Sequence, residues 1–484
     1  MRAAGHRGAP HLLRGASPLL LAACGLILAL ALALRLAGAD GELWLDEIWS
    51  LHLIDEVRGG ESVFAIIPSD NNHYLNTLWL WIVGPDGSPL AYRALSVALG
   101  TGTVALAGWM QRERGAVAIL TAMALFAATY LMVNYGSEAR GYAGLMFCGL
   151  AAIAAAERAI AVPSSGSRFR LGLAVFAGVL FQPIMLGLVA ALGLWSVWLS
   201  WQRTRSLRQT TAATRDLWAW TIRLMILFVA LIGFAMWRSG GYFLGGYQAF
   251  SALEFTNGIG NATRFLLGLP TDLPWPAAIA VLAALLILAA MVKGRTDDPR
   301  FALYLTIILL IPLAMLIARP PNTGNARYYL MPACAVLLLI SDTAGLLSRR
   351  GPPAKVLAVV LVAAVLGANA VQLAHFYASG RGAVTRYLPL VAAEGSALVS
   401  SNTEARDRPV IRYYAAKLGL PVTYVDLETI CDTRPRWLLT SDLSEIPEVA
   451  TIGAPACSLT YRQVQRFRLW GLSGFPWALY RAEE

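Results

Sequence analysis

The feature that most constrains this chain is a series of apolar segments, each close to the length that crosses a bilayer, recurring from residue 17 to residue 376. A hydrocarbon core is roughly 30 Å thick and takes ~20 helical residues to cross. Its interior offers no water to the backbone, so such segments must fold as self-satisfied helices. Segments 17–37, 90–110, 116–133, 142–160, 218–237, 275–292, 301–318, 328–347 and 356–376 each read as one span. The run 171–201 is too long for one span and is interrupted at Gln182–Pro183, which reads as two shorter helices. The expectation is a polytopic α-helical membrane protein with about eleven transmembrane helices.

Composition agrees. Charged residues make up 14% of the chain and hydrophobic ones 57%, whereas a soluble domain carries roughly 25% charged residues. The net charge of +10 does not point to nucleic acid. Its Lys and Arg residues fall in short clusters between apolar segments, as the positive-inside bias distributes them, and no basic stripe interleaves with aromatics. Cys24, Cys148 and Cys334 lie within apolar segments and read as small buried hydrophobes. Cys431 and Cys457 lie in the polar C-terminal region with no zinc-ligand spacing, and an oxidising compartment would let them form a disulfide.

Charge also sets the orientation. Arg2, Arg7 and Arg14 precede the first segment, which places the N-terminus in the cytoplasm. The small residues before Asp40 resemble a cleavage site, but the apolar core exceeds a signal h-region, so an uncleaved helix is expected. The stretch "HYLNTLWLWIVG" (73–84) is apolar but short. Reading it as an interfacial helix keeps "QRERG", "KGRTDDPR" and "SRRGPPAK" on the cytoplasmic side. Residues 1–379 then form a transmembrane module with an outer first loop at 38–89, and residues 380–484 an extracytoplasmic domain. In that domain "SALVSSN", "PVTYVD" and "RWLLTS" read as short strands and "RPVIRYYAAKLG" as a helix, a small α/β unit.

This orientation brings three polar constellations to one side of the membrane: "WLDEIWS" and "SDNNHYLN" in the first loop, "YGSEARGY" (135–142), and "NTGNARYYLMP" (322–332). Ionisable groups near lipid are costly unless paired or hydrated, so three clusters on one face suggest a shared polar cavity. Asp46 suits the deprotonation of an attacking hydroxyl. Glu47 either raises its neighbour's pKa by like-charge repulsion or helps hold a divalent cation. Arg140 and Arg327 match the oxygens of a lipid phosphate, and the apolar helices would solvate a polyprenyl tail. Each residue also has a plain alternative. An Asp–Glu pair recurs in many solvated loops; Arg140 could pair with Glu138 or reach lipid headgroups; Arg327 with Tyr328 could be an interfacial anchor; His73 could line a surface helix.

In order, "WLDEIWS", "DNNHYLNTLWLWIVG", "AYRALSVALGTGTVAL" and "YGSEARGYAGLM", with "NARYYLMPACAVLLLI" later, resemble the membrane glycosyltransferases of the C-type fold. The resemblance is to the bacterial branch related to protein O-mannosyltransferases and the lipid A aminoarabinose transferase, and is clearest over residues 43–161. It implies the C-type fold and a polyprenyl-phosphate-linked sugar donor. The sugar passes, with inversion, to an acceptor hydroxyl on a glycan, lipid or protein at the outer face of the plasma (inner) membrane. By similarity Asp46 is the catalytic carboxylate and Glu47 its partner. His73, Glu138, Arg140, Tyr142, Arg327 and Tyr328 lie in the patches that bind donor phosphate and substrate. "YLN" stands where the family has a proline-rich run after the residue at His73. Some members use a divalent cation and others do not; the residues here form no clear ligand set, so no cofactor is assigned and a divalent cation stays open. The alternative is a transporter or lipid flippase. Only one interrupted helix is evident, at Pro183, whereas transporters carry such breaks in matching halves.

Overall fold

The computed structural model describes residues 17–58, 73–239, 241, 249–292, 297–393, 395, 397–442, 446–454, 457 and 459–483. The expected Ser69–Asn72 part of the first polar cluster lies outside these residues. Fifteen helices form the first part of the chain. They are α1 Pro18–Ala39, α2 Leu45–Arg58, α3 Tyr74–Val83, α4 Pro89–Met110, α5 Ala116–Ala128, α6 Tyr130–Tyr135, α7 Tyr142–Ala161 and α8 Ser165–Phe181. After them come α9 Met185–Thr204, α10 Leu207–Ser239, α11 Ala252–Leu267, α12 Trp275–Ala290, α13 Pro299–Ala318, α14 Leu330–Ser348 and α15 Pro352–Ser379.

The expected spans are helical, except that 116–133 breaks at Thr129 into α5 and α6. Among the described residues eight helices are long and apolar enough to cross a membrane. The remaining expected spans, α5, α8 and α12, have 13, 17 and 16 residues. The chain is a multi-pass membrane protein. Local chemistry marks the helix ends: Ser17 and Ser88 cap α1 and α4 ahead of a proline, and Ser164 with Ser167 forms a capping box on α8. At Gln182–Pro183 the helix breaks into α8 and α9 as expected. Helix α3 is 10 residues long, about 15 Å at 1.5 Å per residue, which cannot span the core.

Burial separates centre from rim. Of the best apolar window of Ala326–Ser348, 78% is buried inside the protein, against 11% for Pro18–Ala39. Helix α14 is therefore the axis of the bundle, and α1 presents Leu19, Leu26 and Leu30 outward, where lipid would meet them. Helix α2 is a difference from the sequence reading, which left "LDEIWSLHL" as loop. Asp46 and Glu47 lie in its first turn, where carboxylates favour a helix N-terminus.

Beyond α15, α16 (Val384–Ala392) leads into a mixed sheet in the order β2-β1-β3-β6-β5-β4. The expected segments give β1 (Ala397–Ser401), β2 (Val422–Tyr424) and β3 (Trp437–Ser441), mutually parallel about β1, with α17 (Glu404–Leu418) between the first two. A short helix, α18 (Ile430–Thr433), precedes β3. Three more strands, β4 (Thr451–Ala454), β5 (Leu459–Phe467) and β6 (Trp477–Ala482), extend the sheet antiparallel through β6. Cys431 and Cys457 form a disulfide joining α18 to the β4–β5 connection.

The sheet unit is seated on the helices. Tyr414 of α17 accepts from the Leu43 amide at 2.7 Å and donates to the Leu43 carbonyl at 3.0 Å, just ahead of α2. The loop before β6 inserts Trp470 against Tyr130, Phe265 and His375, while Ser473 Oγ accepts from Asn134 Nδ2 at 3.0 Å. Glu42 accepts from the amides of Val384 and Thr385 at the start of α16.

Candidate active site

Successive residues on a helix point about 100° apart, so Asp46 and Glu47 face different partners. Asp46 Oδ2 accepts from Arg140 Nη1 and, at 2.7 Å, from Arg327 Nη1. Those arginines come from the α6–α7 loop and from the turn ahead of α14. Three separated stretches of chain thus meet on one carboxylate oxygen. Arg140 is nearly buried and Arg327 is the more open, its side chain 18% exposed.

Glu47 turns instead to Arg93 of α4. The pair is fully buried and bidentate, with Arg93 Nη2 2.6 Å from Oε2 and Nε 2.8 Å from Oε1. Arg93 also donates to the carbonyls of Ala39, Gly41 and Glu42 at 3.0, 3.2 and 2.6 Å, tying down the turn that leads to α2. Glu47 accepts in addition from the amides of Ala139 at 2.7 Å and Trp44 at 3.2 Å. Burial works to raise the Glu47 carboxyl, but the Arg93 guanidinium and these hydrogen bonds outweigh it and hold the group below the usual carboxylate range. Two parallel links result, Asp46 to Arg140 and Glu47 to the amide one residue earlier.

The loop carrying Glu138, Ala139 and Arg140 is held from behind. Arg381 donates to the Asn134 carbonyl and side chain and to Ser137 Oγ, at 3.0–3.1 Å. Glu138 is fully buried 3.9 Å from Arg381, and among the described residues neither of its oxygens has a hydrogen-bond partner. Burial raises its carboxyl above the usual range, Glu47 and Asp46 add to the rise, and Arg381 and Arg140 oppose it. Arg35 of α1 donates to the carbonyls of Phe126 at 2.8 Å and Ala127 at 3.3 Å, satisfying the end of α5 where helix dipoles favour a cation. Gly141 is required where it stands: a Cβ there would lie 1.9 Å from the Phe181 carbonyl.

That carbonyl lies at the α8–α9 break, where Pro183 interrupts the helical ladder, and it accepts from His73 Nδ1 at 3.1 Å. Burial, with Arg140 nearby, pushes His73 well below the usual imidazole range, so the ring is neutral. His73 meets Tyr142 edge-on at 5.5 Å, and Arg140 lies 5.2 Å over the Tyr142 ring. Tyr328 is half-buried and packs on the helical core beside Arg327. The sequence-expected residues are thereby located: Asp46, Arg140 and Arg327 in direct contact, His73 and Tyr142 beside them, Glu47 and Glu138 one layer deeper, Tyr328 at the rim. No group of three or more His, Cys, Asp or Glu side chains able to hold a metal ion occurs among the described residues.

Sequence reasoning missed Arg93, Arg381 and Arg35 as parts of this arrangement. A signal existed for two of them. An arginine inside an apolar span is expensive and implies a partner; Arg93 sits in "AYRALSVALG" and Arg35 in "LALALRLAGAD".

Comparison with known proteins places the architecture. No family model and no curated protein matches the chain. The structure of ArnT from Cupriavidus metallidurans in the apo state matches at TM-score 0.52 and 14% identity, covering 94% of this chain and 97% of that one. The Archaeoglobus fulgidus oligosaccharyltransferase in complex with Zn and sulfate matches at TM-score 0.50 and 11% identity, covering 87% of this chain and 68% of that one. The S. cerevisiae protein O-mannosyltransferase Pmt1–Pmt2 complex bound to the sugar donor matches at TM-score 0.39 and 18% identity. There the match covers 51% of this chain and 37% of the other. The first two are glycosyltransferases of the C-type fold, and the chain has that fold.

Proposed function

We propose that this chain is a membrane glycosyltransferase that moves a sugar from a polyprenyl-phosphate donor to an acceptor hydroxyl at the outer face of the membrane, with Asp46 as the general base. The observation that carries this reading is the meeting of Arg140 and Arg327 on one oxygen of Asp46. A base and a two-arginine phosphate clamp side by side are what displacement of a lipid phosphate from a sugar requires. The acceptor oxygen forms its bond to the anomeric carbon as the carbon–phosphate-oxygen bond breaks. The hydroxyl proton passes to Asp46, and the released charge stays on the phosphate between the guanidinium groups. Attack opposite the leaving phosphate inverts the anomeric configuration.

Charge arithmetic supports the assignment. Glu47 with Arg93 is a neutral pair, so Asp46, Arg140 and Arg327 sum to +1, which one phosphodiester anion neutralises. After transfer the phosphate monoester carries about −2 and Asp46 is protonated, so this group is again neutral. Net charge in the low-dielectric site is the same before and after the step, which avoids the desolvation cost of an unpaired charge. His73 and Tyr142 border the phosphate seat, Tyr328 lies at its rim, and Glu138 lies behind it. The transferred unit is a hexose or pentose.

The orientation proposed is N-terminus cytoplasmic, with residues 1–379 the membrane module and residues 380–484 an outer domain. The Cys431–Cys457 disulfide supports an oxidising compartment for that domain. An ion-pair network at the other end of the bundle favours an enzyme over a rocking transporter. Arg114 joins Asp298 and, at 3.0 Å, Asp342, while Arg300 grips Glu157 at 2.7 and 3.0 Å. These links knit α7, α13 and α14 at one end, and alternating access would have to break them. The test is mass analysis of envelope glycolipids and glycans in a deletion strain complemented with wild-type protein or with Asp46→Asn. The wild-type gene should restore a glycan that the variant, at equal membrane abundance, does not. Full restoration by Asp46→Asn would refute the assignment of the base.

A further inference from the structure

The base and the phosphate clamp of this site touch each other directly. Asp46 Oδ2 accepts from two guanidinium donors, so this oxygen is turned to the arginines while, among the described residues, Oδ1 is not one of their acceptors. The same Nη1 groups are those that a donor phosphate would use. Base and phosphate clamp therefore hold one another through Oδ2.

We propose that Asp46 is the resident anion of the phosphate seat, and that the donor's phosphodiester releases the base by displacing its carboxylate from Arg140 and Arg327. This rests on the glycosyltransferase reading and deepens it, since it makes the release of the Asp46 side chain from the arginines part of the mechanism. The geometry favours exchange over simple addition. Arg327 is the more exposed of the two arginines, so an incoming phosphate oxygen reaches it first and Arg140 second. The rest of the site does not have to move. Glu47 is anchored by Arg93 and by the Ala139 amide, so α2 and the α6–α7 loop keep their spacing while the Asp46 side chain changes rotamer.

An exchange of this kind has an unusual signature: removing the base should improve phosphate binding. In Asp46→Asn the amide keeps the shape but no longer holds the arginines as an anion does. The probe is undecaprenyl phosphate, which has the lipid and the phosphate but no sugar, titrated into full-length detergent-purified protein by calorimetry or tryptophan fluorescence. Asp46→Asn should bind it on the order of tenfold more tightly than wild type, the scale of one or two charge-assisted hydrogen bonds returned to the ligand. Asp46→Ala provides a second reading and should shift the same way, and Arg327→Gln should weaken binding in either background. Equal or weaker binding by both Asp46 variants, with wild type binding measurably, would overturn the exchange and leave the donor assignment standing. Binding by none of the proteins would remove the lipid-phosphate reading itself, and the exchange with it.

Discussion

Arg93 gives the sharpest handle on how the site is built, because its removal and the removal of its partner should not add. In Arg93→Met the variant side chain fills similar space, but Glu47 stays fully buried with only the amides of Ala139 and Trp44 as donors. Breaking one side of a buried ion pair costs about 3–5 kcal/mol. The carbonyls of Ala39, Gly41 and Glu42 also lose a donor each; water can reach the last two, so we add about 1 kcal/mol for the first. Glu47→Gln costs about 3 kcal/mol: only one end of the amide still accepts, its NH2 faces donors at the other, and Arg93 is left unpaired although it keeps its three carbonyls. In the double variant no buried charge is left alone. It should therefore be more stable than Arg93→Met, although it carries one substitution more. The assay is a temperature ramp of detergent-solubilised protein followed by size-exclusion fluorescence, in which the ordering of the four proteins is the readout. Since Arg93 holds the folded-state pKa of Glu47 down, the stabilisation is present above the unfolded carboxylate value of about 4.3 and is lost as pH falls through the folded value. A double variant less stable than Arg93→Met by the full cost of Glu47→Gln would refute the argument.

Other consequences are checkable in the same material. His73 is neutral and its folded pKa is depressed, so the unfolded chain alone takes up a proton below about 6.5, and acidification from pH 7 to 5 should cost stability that His73→Gln does not lose. Asp407 accepts from Ser401 and Ser441, yet burial pushes it up to about 6. Its ionisation above that pH opposes folding by about 2–3 kcal/mol, so Asp407→Asn should raise the melting temperature at pH 7.5 and leave it unchanged near pH 4. Reduction of Cys431–Cys457 should cost about 3.5 kcal/mol on loop-entropy grounds for a separation of 26 residues. The loss should appear as protease sensitivity confined to the sheet unit, with a gel shift.

What could be read in advance followed the range of the interactions. Helices in a bilayer are specified locally, by length, apolarity and punctuation such as Pro183, and those positions were legible. Strands β1 and β3 were legible because parallel strands buried on both faces read as apolar runs, and the short edge strand β2 because its β-branched and aromatic residues Val422–Tyr424 favour a strand. Strand β5, "LTYRQVQRF", was not: Arg462, Gln463, Gln465 and Arg466 break its apolar alternation, its register shifts between Gln463 and Gln465 with Val464 exposed, and its pairing with β6 lies across a turn-rich loop. Helix α2 was missed for another reason. Its stability comes from Arg93, Tyr414 and the Ala139 loop, residues 46, 371 and 92 positions from the groups they hold.

The same distinction explains the division of labour between two adjacent acids. A sequence lists Asp46 and Glu47 side by side and invites one role for both, a shared pKa effect or a shared cation. Folding them into a helix turns that adjacency into two directions. One carboxylate meets arginines at the edge of the cavity, where a substrate could replace it; the other is sealed on Arg93 and cannot leave without exposing a buried charge. The exchangeable contact needs the fixed one, because releasing Asp46 is harmless only while the distance between α2 and the Arg140 loop is set elsewhere. Rigid and labile ion pairs one residue apart are thus a single device, and the test of it is that Glu47→Gln should degrade phosphate binding, where Asp46→Asn improves it.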